Sequence, residues 1–257
     1  MFKDHPKFKK PDDKNAIIWR YMDFVGFVSL LDKKSLYFSK ADELQDPYED
    51  KFANAVFGHR IGETKKFAKE PKKKAEQRPD AVNPADAVLT YVNCWHINHI
   101  ESTSMWQVYL KSDEGVAIQS TYGKLKQSFS AYAKGDVCIG QVGYLDFAVD
   151  PVPKDYDEWP FLYKRSSFSY ERELRAIVRE EHVDLTKGPH ELGKYISVNL
   201  DMLIEKIYVS PAAPIWFSEL VDSITGKLGL AKKVIHSQLA SSAHPAEKAG
   251  EEWFNKK

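Results

Sequence analysis

The order of apolar runs in this chain predicts an α+β fold. About nine short strand-like runs are interspersed with four or five amphipathic helical stretches, no strict strand–helix repeat joins them, and no Gly-rich phosphate fingerprint opens a helix. The chain has 257 residues, 43% of them hydrophobic and 13% aromatic, enough for one sizeable core in a single domain. No internal repeat is visible.

Residues 1–16 are charged and Pro-containing and read as a mobile N-terminal arm. The domain proper is expected over 17–238. It opens with the strand Ile17-Ile18-Trp19-Arg20 and a helix marked by Phe24, Phe27, Val28 and Leu31 at helical spacing. Leu36-Tyr37-Phe38-Ser39 reads as a second strand. Ala41 to Pro47 reads as a loop or capped turn, because Asp46-Pro47 disfavours continued helix. Residues 60–86 are polar and basic, the expected helical insertion. Val88 to Ile97 reads as a core strand, Ser102 to Leu110 as a capped helix, and Gly115 to Ile118 as a strand. Tyr122, Leu125, Phe129 and Tyr132 mark another helix. Val137 to Leu145 reads as one long strand, 150–160 as a Pro- and Asp-rich loop, and Tyr195–Val198 and Ile204–Val209 as strands. Pro214 suits the first turn of a helix carrying Trp216, Phe217, Leu220, Val221, Ile224 and Leu228. Val234-Ile235 is a last short strand, and 239–257 is a C-terminal tail.

Thirty-seven basic residues balance thirty-seven acidic ones, so no global field draws the chain to nucleic acid or an anionic membrane. The one basic cluster, Lys65-Lys66, Lys69 and Lys72-Lys73-Lys74, reads as a solvated face, with docking of an acidic partner as the alternative. There is no apolar leader core at the N-terminus, and no run approaches the ~18 apolar residues of a spanning helix, so a cytoplasmic protein is expected. Two cysteines in a chain of this length read as reduced core thiols.

No Gly-x-Ser-x-Gly elbow, Walker loop or His-Glu-x-x-His helix is present. Cys94, His96 and His99 raise zinc, but His99 falls in a turn and no fourth ligand is evident, so no metal is expected. Trp106 and Tyr109 share a helix face and read as core support. The densest group of charged residues is Tyr170-Glu171-Arg172-Glu173-Leu174-Arg175, at the entrance of the strand Leu174–Val178. On an extended backbone Glu171 and Glu173 share a face and point together into a cleft. A surface ion-pair ladder on an edge strand is the plain alternative.

Trp19-Arg20-Tyr21, then Leu36-Tyr37-Phe38-Ser39 with Asp46-Pro47 and Glu49, then Met105-Trp106-x-x-Tyr109 with Gly115-Val116-Ala117-Ile118, then Tyr170 to Arg175, together resemble the bacterial DUF2971 family over about residues 17–236. That resemblance implies a relationship to the ADP-ribosyltransferase fold, a split β-sandwich of two antiparallel sheets with flanking helices and an NAD-binding cleft. By motif order it places Arg20 on the NAD phosphates or ribose and Ser39 at the nicotinamide site. Glu173 or Glu171 becomes the catalytic carboxylate. The Glu-x-Glu spacing is similar to that of arginine-directed members. Arg20 stands where members often have His, and Ser102-Thr103-Ser104 precedes a helix instead of lying on a strand.

The chemistry suits these residue types. Cleavage of the nicotinamide bond develops oxocarbenium character that a carboxylate such as Glu173 stabilises, while Glu171 would contact the acceptor. A guanidinium holds pyrophosphate through a bidentate fork, and Tyr21 or Tyr37 could stack on nicotinamide. The resemblance therefore implies an NAD-consuming transferase, a toxin or phage-defence effector, with NAD as substrate and an unspecified protein, nucleic-acid or small-molecule acceptor. The rival is a non-catalytic nucleotide- or partner-binding module of the same fold. A hydrolase using Glu171 and Glu173 as an acid/base pair finds no nucleophile or sugar-binding pattern to support it.

Overall fold

The computed structural model describes residues 1–41, 44, 89–110, 112–146, 149–151, 153, 159–180 and 192–239. The expected insertion at 60–86, its lysine cluster, the Asp46-Pro47 turn with Glu49, most of the 150–160 loop and the tail from 240 onward lie outside the described residues.

β1 (Ile17–Asp23) runs into α1 (Phe24–Lys33), where the Asp23 side chain accepts from the Gly26 N–H and caps the helix. α1 stops at Lys34, in the left-handed region at φ 47°, and β2 (Ser35–Lys40) follows. After β3 (Thr90–Ile97) come α2 (Thr103–Tyr109), capped by Ser102, β4 (Gly115–Thr121) and α3 (Tyr122–Ser128), capped by Thr121. Then follow β5 (Cys138–Gln141), β6 (Gly143–Leu145), β7 (Tyr163–Arg165) and β8 (Glu173–Arg179). β9 (Gly193–Ser197), α4 (Leu200–Leu203), β10 (Lys206–Val209), α5 (Ile215–Lys227) and β11 (Val234–His236) complete the described elements.

The α+β class holds. Nine strands form one mixed sheet, with the path β11-β10-β4-β1-β3-β2-β9 and with β8 and β5 joined on the far edge of β3; β6 and β7 pair separately. Within the nine-stranded sheet only β10 and β11 pair in parallel. The sheet is continuous and branched at β3. One edge of β3 pairs with β8 from Thr90↔Arg179 to His96↔Glu173. The other edge is shared: β1 takes its end, through Ile18↔Ile97 and Trp19↔His96, and β2 its beginning, through Ser39↔Val92 and Lys40↔Tyr91. Between these pairs the edge of Asn93–Trp95 has no strand partner among the described residues, and the sheet opens there.

One face of the sheet carries the main core, including Ile18, Phe27, Leu31, Trp95, Ile118, Phe129, Leu174 and Phe217. The opposite face carries two smaller clusters. Trp19, Tyr21, Met105, Trp106 and Ala117 pack where α2 covers β1 and β4. Phe8, Val92, Cys138, Leu162 and Ile177 pack where the N-terminal segment and 159–163 cover β5, β8 and β3.

Three sequence expectations change. Residues 1–16 are held against the domain, where an arm was expected: Lys3 N donates to Val137 O at 2.9 Å, Gln141 N donates to Lys9 O at 2.7 Å, and Phe8 sits edge-on to Trp159 at 4.8 Å. Val137–Leu145 is two strands, because after Val142 the chain leaves β8 and pairs with β7. Ile204–Val209 begins after the short helix α4, and the strand itself starts at Lys206.

Candidate functional site

The opening in the sheet is where the charged residues gather. Arg20 follows the last β1 residue paired with β3, and as the strands part its Nη1 donates to the otherwise unpaired Cys94 carbonyl at 2.7 Å. Asn93 Nδ2 does the equivalent across the other branch, donating to Tyr37 O at 2.8 Å. Both satisfy backbone or side-chain groups that sheet pairing leaves behind. Cys94 shares a strand face with His96, and across the β3–β8 ladder these residues stand beside Arg175 and Glu173 respectively.

A compact charged network occupies that face. Arg175, 1% exposed, donates from Nη2 to Glu173 Oε2 at 2.9 Å and from Nη1 to Phe161 O at 2.6 Å. Lys164, on β7, donates to Glu171 Oε2 at 2.7 Å, lies 3.8 Å from Glu173 Oε2 and sits 4.8 Å from the centre of the Phe168 ring. The Cys94 thiol lies within electrostatic range of the Glu173 carboxylate, and the Glu173 N–H donates to Tyr144 Oη at 2.8 Å. His96 Nδ1 lies 2.5 Å from the Glu171 carbonyl. Since that oxygen only accepts, Nδ1 carries the proton and Nε2, buried and without a partner, does not.

Burial pushes the Glu173 carboxyl up, but Arg175 and Lys164 outweigh it and hold the group below its usual range. For Glu171 burial prevails over Lys164, and its carboxyl titrates higher than usual. Burial also works against the Lys164 ammonium, yet the carboxylates of Glu173 and Glu171 keep it charged above its ordinary range. Desolvation lowers the basicity of Arg20 and His96 and raises the Cys94 thiol and the Tyr109 hydroxyl, with Glu173 adding to the last two. Lys164 and Arg175 thus balance Glu171 and Glu173, while Arg20 lies beside Cys94 and Tyr109.

Of the residues singled out from sequence, Arg20, Glu173 and Glu171 converge around Cys94 and Lys164. Glu171 and Glu173 meet by a different route from the one expected. Glu171 ends a 3-10 turn (Ser166–Glu171), and Arg172 adopts a left-handed conformation at φ 40°, so a turn brings the two carboxylates to Lys164. Glu171, expected to contact the acceptor, is 5% exposed. Tyr21 is committed to packing: it is buried, its hydroxyl accepts from Ser102 N at 2.9 Å and its ring meets Trp106 edge-on at 4.9 Å. Tyr37 packs edge-on against Tyr195 at 5.1 Å, and Ser39 lies between Val92 and Gly193, joined to the charged network by no hydrogen bond or ion pair. Trp106 supports the core as expected, whereas Tyr109 is 41% exposed at the end of α2, within electrostatic range of Arg20, Cys94 and Glu173. Among the described residues no group of three His, Cys, Asp or Glu is placed to hold a metal, and no helix is long and apolar enough to cross a membrane.

Sequence reasoning missed Lys164, Arg175 and Tyr144 as parts of the network. Glu173-x-Arg175 did carry a signal: opposite charges two apart on a strand share a face. Lys164 and Tyr144 lie on three-residue strands too short to show a period. No family model matches the chain, and neither a curated protein nor a solved structure does.

Proposed function

We propose that this chain binds a phosphorylated nucleotide of the NAD type at the opening between β1 and β2, with Arg20 holding the phosphates. The observation behind this reading is the state of Arg20. Its guanidinium is half-buried, donates one hydrogen bond, to the Cys94 carbonyl, and has no carboxylate partner among the described residues. A desolvated cation with donors to spare is stabilised by an anion, and phosphate matches the remaining fork.

ADP-ribosyl transfer from NAD is the second reading, and the observation favouring it is that Glu173 and Arg20 both border Cys94, so one dinucleotide could span them. In this reading Glu173 would stabilise positive charge developing on the ribose. Its present partners weigh against that role. The carboxylate is 3% exposed and already compensated by Arg175 and Lys164, so it would have to exchange one of them for substrate. The acceptor, and any part in toxicity or phage defence, would follow from such turnover.

Incubating the full chain with NAD separates the two readings. Saturable binding without release of nicotinamide supports the binding module, and release that Glu173→Gln abolishes supports the transferase. Absence of NAD and ADP-ribose binding refutes both.

A further inference from the structure

We propose that the cavity at the common end of β1, β3, β8 and β5 is a separate binding site for a small organic carboxylate. The four strands are neighbours, and their antiparallel pairing brings the start of β1 and β8 and the finish of β3 and β5 to the same end of the sheet. There the ladder is closed by Ile97 N to Arg172 O at 2.9 Å, Asn98 N to Ile17 O at 3.2 Å and Val142 N to Glu173 O at 2.9 Å. The space left beyond these bonds is about 310 Å³, the lower end of the range for small-molecule sites. Arg20 does not line it, so this inference does not rest on the Arg20 nucleotide reading, although Glu173 of the transferase reading borders both places.

The lining is divided. Ile17, Ile97 and Val142 supply an apolar wall, and Arg172, His99, Gln141 and Tyr144 supply polar groups. Arg172 is one of two described non-glycine residues at positive φ, and it is exposed. Glycine or asparagine fits that backbone more easily, so the conformation does not account for an arginine. No protein partner accounts for it either, since its guanidinium makes no hydrogen bond or ion pair among the described residues. Glu173 also borders the cavity, but Arg175 and Lys164 offset its charge. A guanidinium paired with an apolar wall fits a carboxylate carried on a compact apolar body.

Benzoate and its neutral near-isostere benzamide test this, titrated into the full chain by calorimetry with ligand-observed NMR. Benzoate should bind and benzamide at least tenfold more weakly, the effect of losing a charge-assisted pair. Arg172→Gln and Arg172→Gly should each cost benzoate tenfold or more. Arg172→Gly should do so with an unchanged or higher melting temperature, because it relieves the left-handed backbone. Arg20→Gln should leave benzoate binding as it was. The proposal is overturned by no benzoate binding at about 10 mM, by equal binding of the two probes, by full benzoate affinity in Arg172→Gly, or by loss of benzoate binding in Arg20→Gln alone.

Discussion

Replacing Arg175 by Met keeps most of the side-chain volume and removes the main counter-charge of Glu173. Breaking a buried ion pair from one side costs about 3–5 kcal/mol, because the remaining charge is left uncompensated. Here Lys164 remains 3.8 Å from Glu173 and softens the loss, so about 3 kcal/mol is expected at neutral pH. Adding Glu173→Gln removes the stranded charge and should restore about half of that. The pH dependence follows from the direction of the Glu173 shift. A carboxyl whose folded pKa is lowered contributes stability above its unfolded value, near 4.5, and loses it as pH falls through the folded value. In Arg175→Met one of the two cations that oppose burial is gone, the lowering shrinks, and the variant loses less stability on acidification than the parent. The gap between the two should therefore narrow below about pH 4.5. Urea unfolding followed by tryptophan fluorescence and circular dichroism measures both effects. A single-variant cost under about 1 kcal/mol, or a double variant as unstable as the sum of its parts, refutes the network as described.

Trp106→Ala should destabilise by about 3–5 kcal/mol in the same assay, since the indole is buried against Tyr21 and Met105; a much smaller cost would mean that α2 is not anchored there. Lys34→Gly should stabilise by about 0.5–1 kcal/mol, because Lys34 closes α1 in the left-handed region and its exposed side chain makes no hydrogen bond or ion pair among the described residues. A loss of stability would contradict that geometry.

The longer helices were legible because their caps and apolar spacing are local, whereas the single turn α4 was not. Asp23, Ser102 and Thr121 each stand one residue ahead of a helix and cap it. The split of Val137–Leu145 was not legible, because nothing in that run marks where a strand changes partner. Gly143 is the retrospective sign: a Cβ there would meet the Tyr163 ring at 2.9 Å, so close approach of β6 to β7 requires glycine. The site was half legible. The carboxylates and Arg20 stood out as charges within apolar runs, but their separation into neutralised and available groups depends on Lys164, which arrives from a three-residue strand. Alternation also misjudged β8, expected to have one face in the core, whose residues 173–178 are buried on both faces. Only the tertiary cover supplied by residues 1–9 and 159–171 makes the charged face an interior one.

The central claim is that Arg20 is an anion receptor, and ADP-ribose titrated calorimetrically into the full chain and into Arg20→Gln and Arg20→Lys variants tests it most directly. The account predicts that Arg20→Gln loses about 10- to 100-fold in affinity, the loss of a charge-assisted bond, and that Arg20→Lys recovers only part because it lacks the fork. Adenosine, without phosphate, should bind the parent and both variants equally weakly. Equal ADP-ribose affinity in the parent and a folded Arg20→Gln variant would contradict the claim.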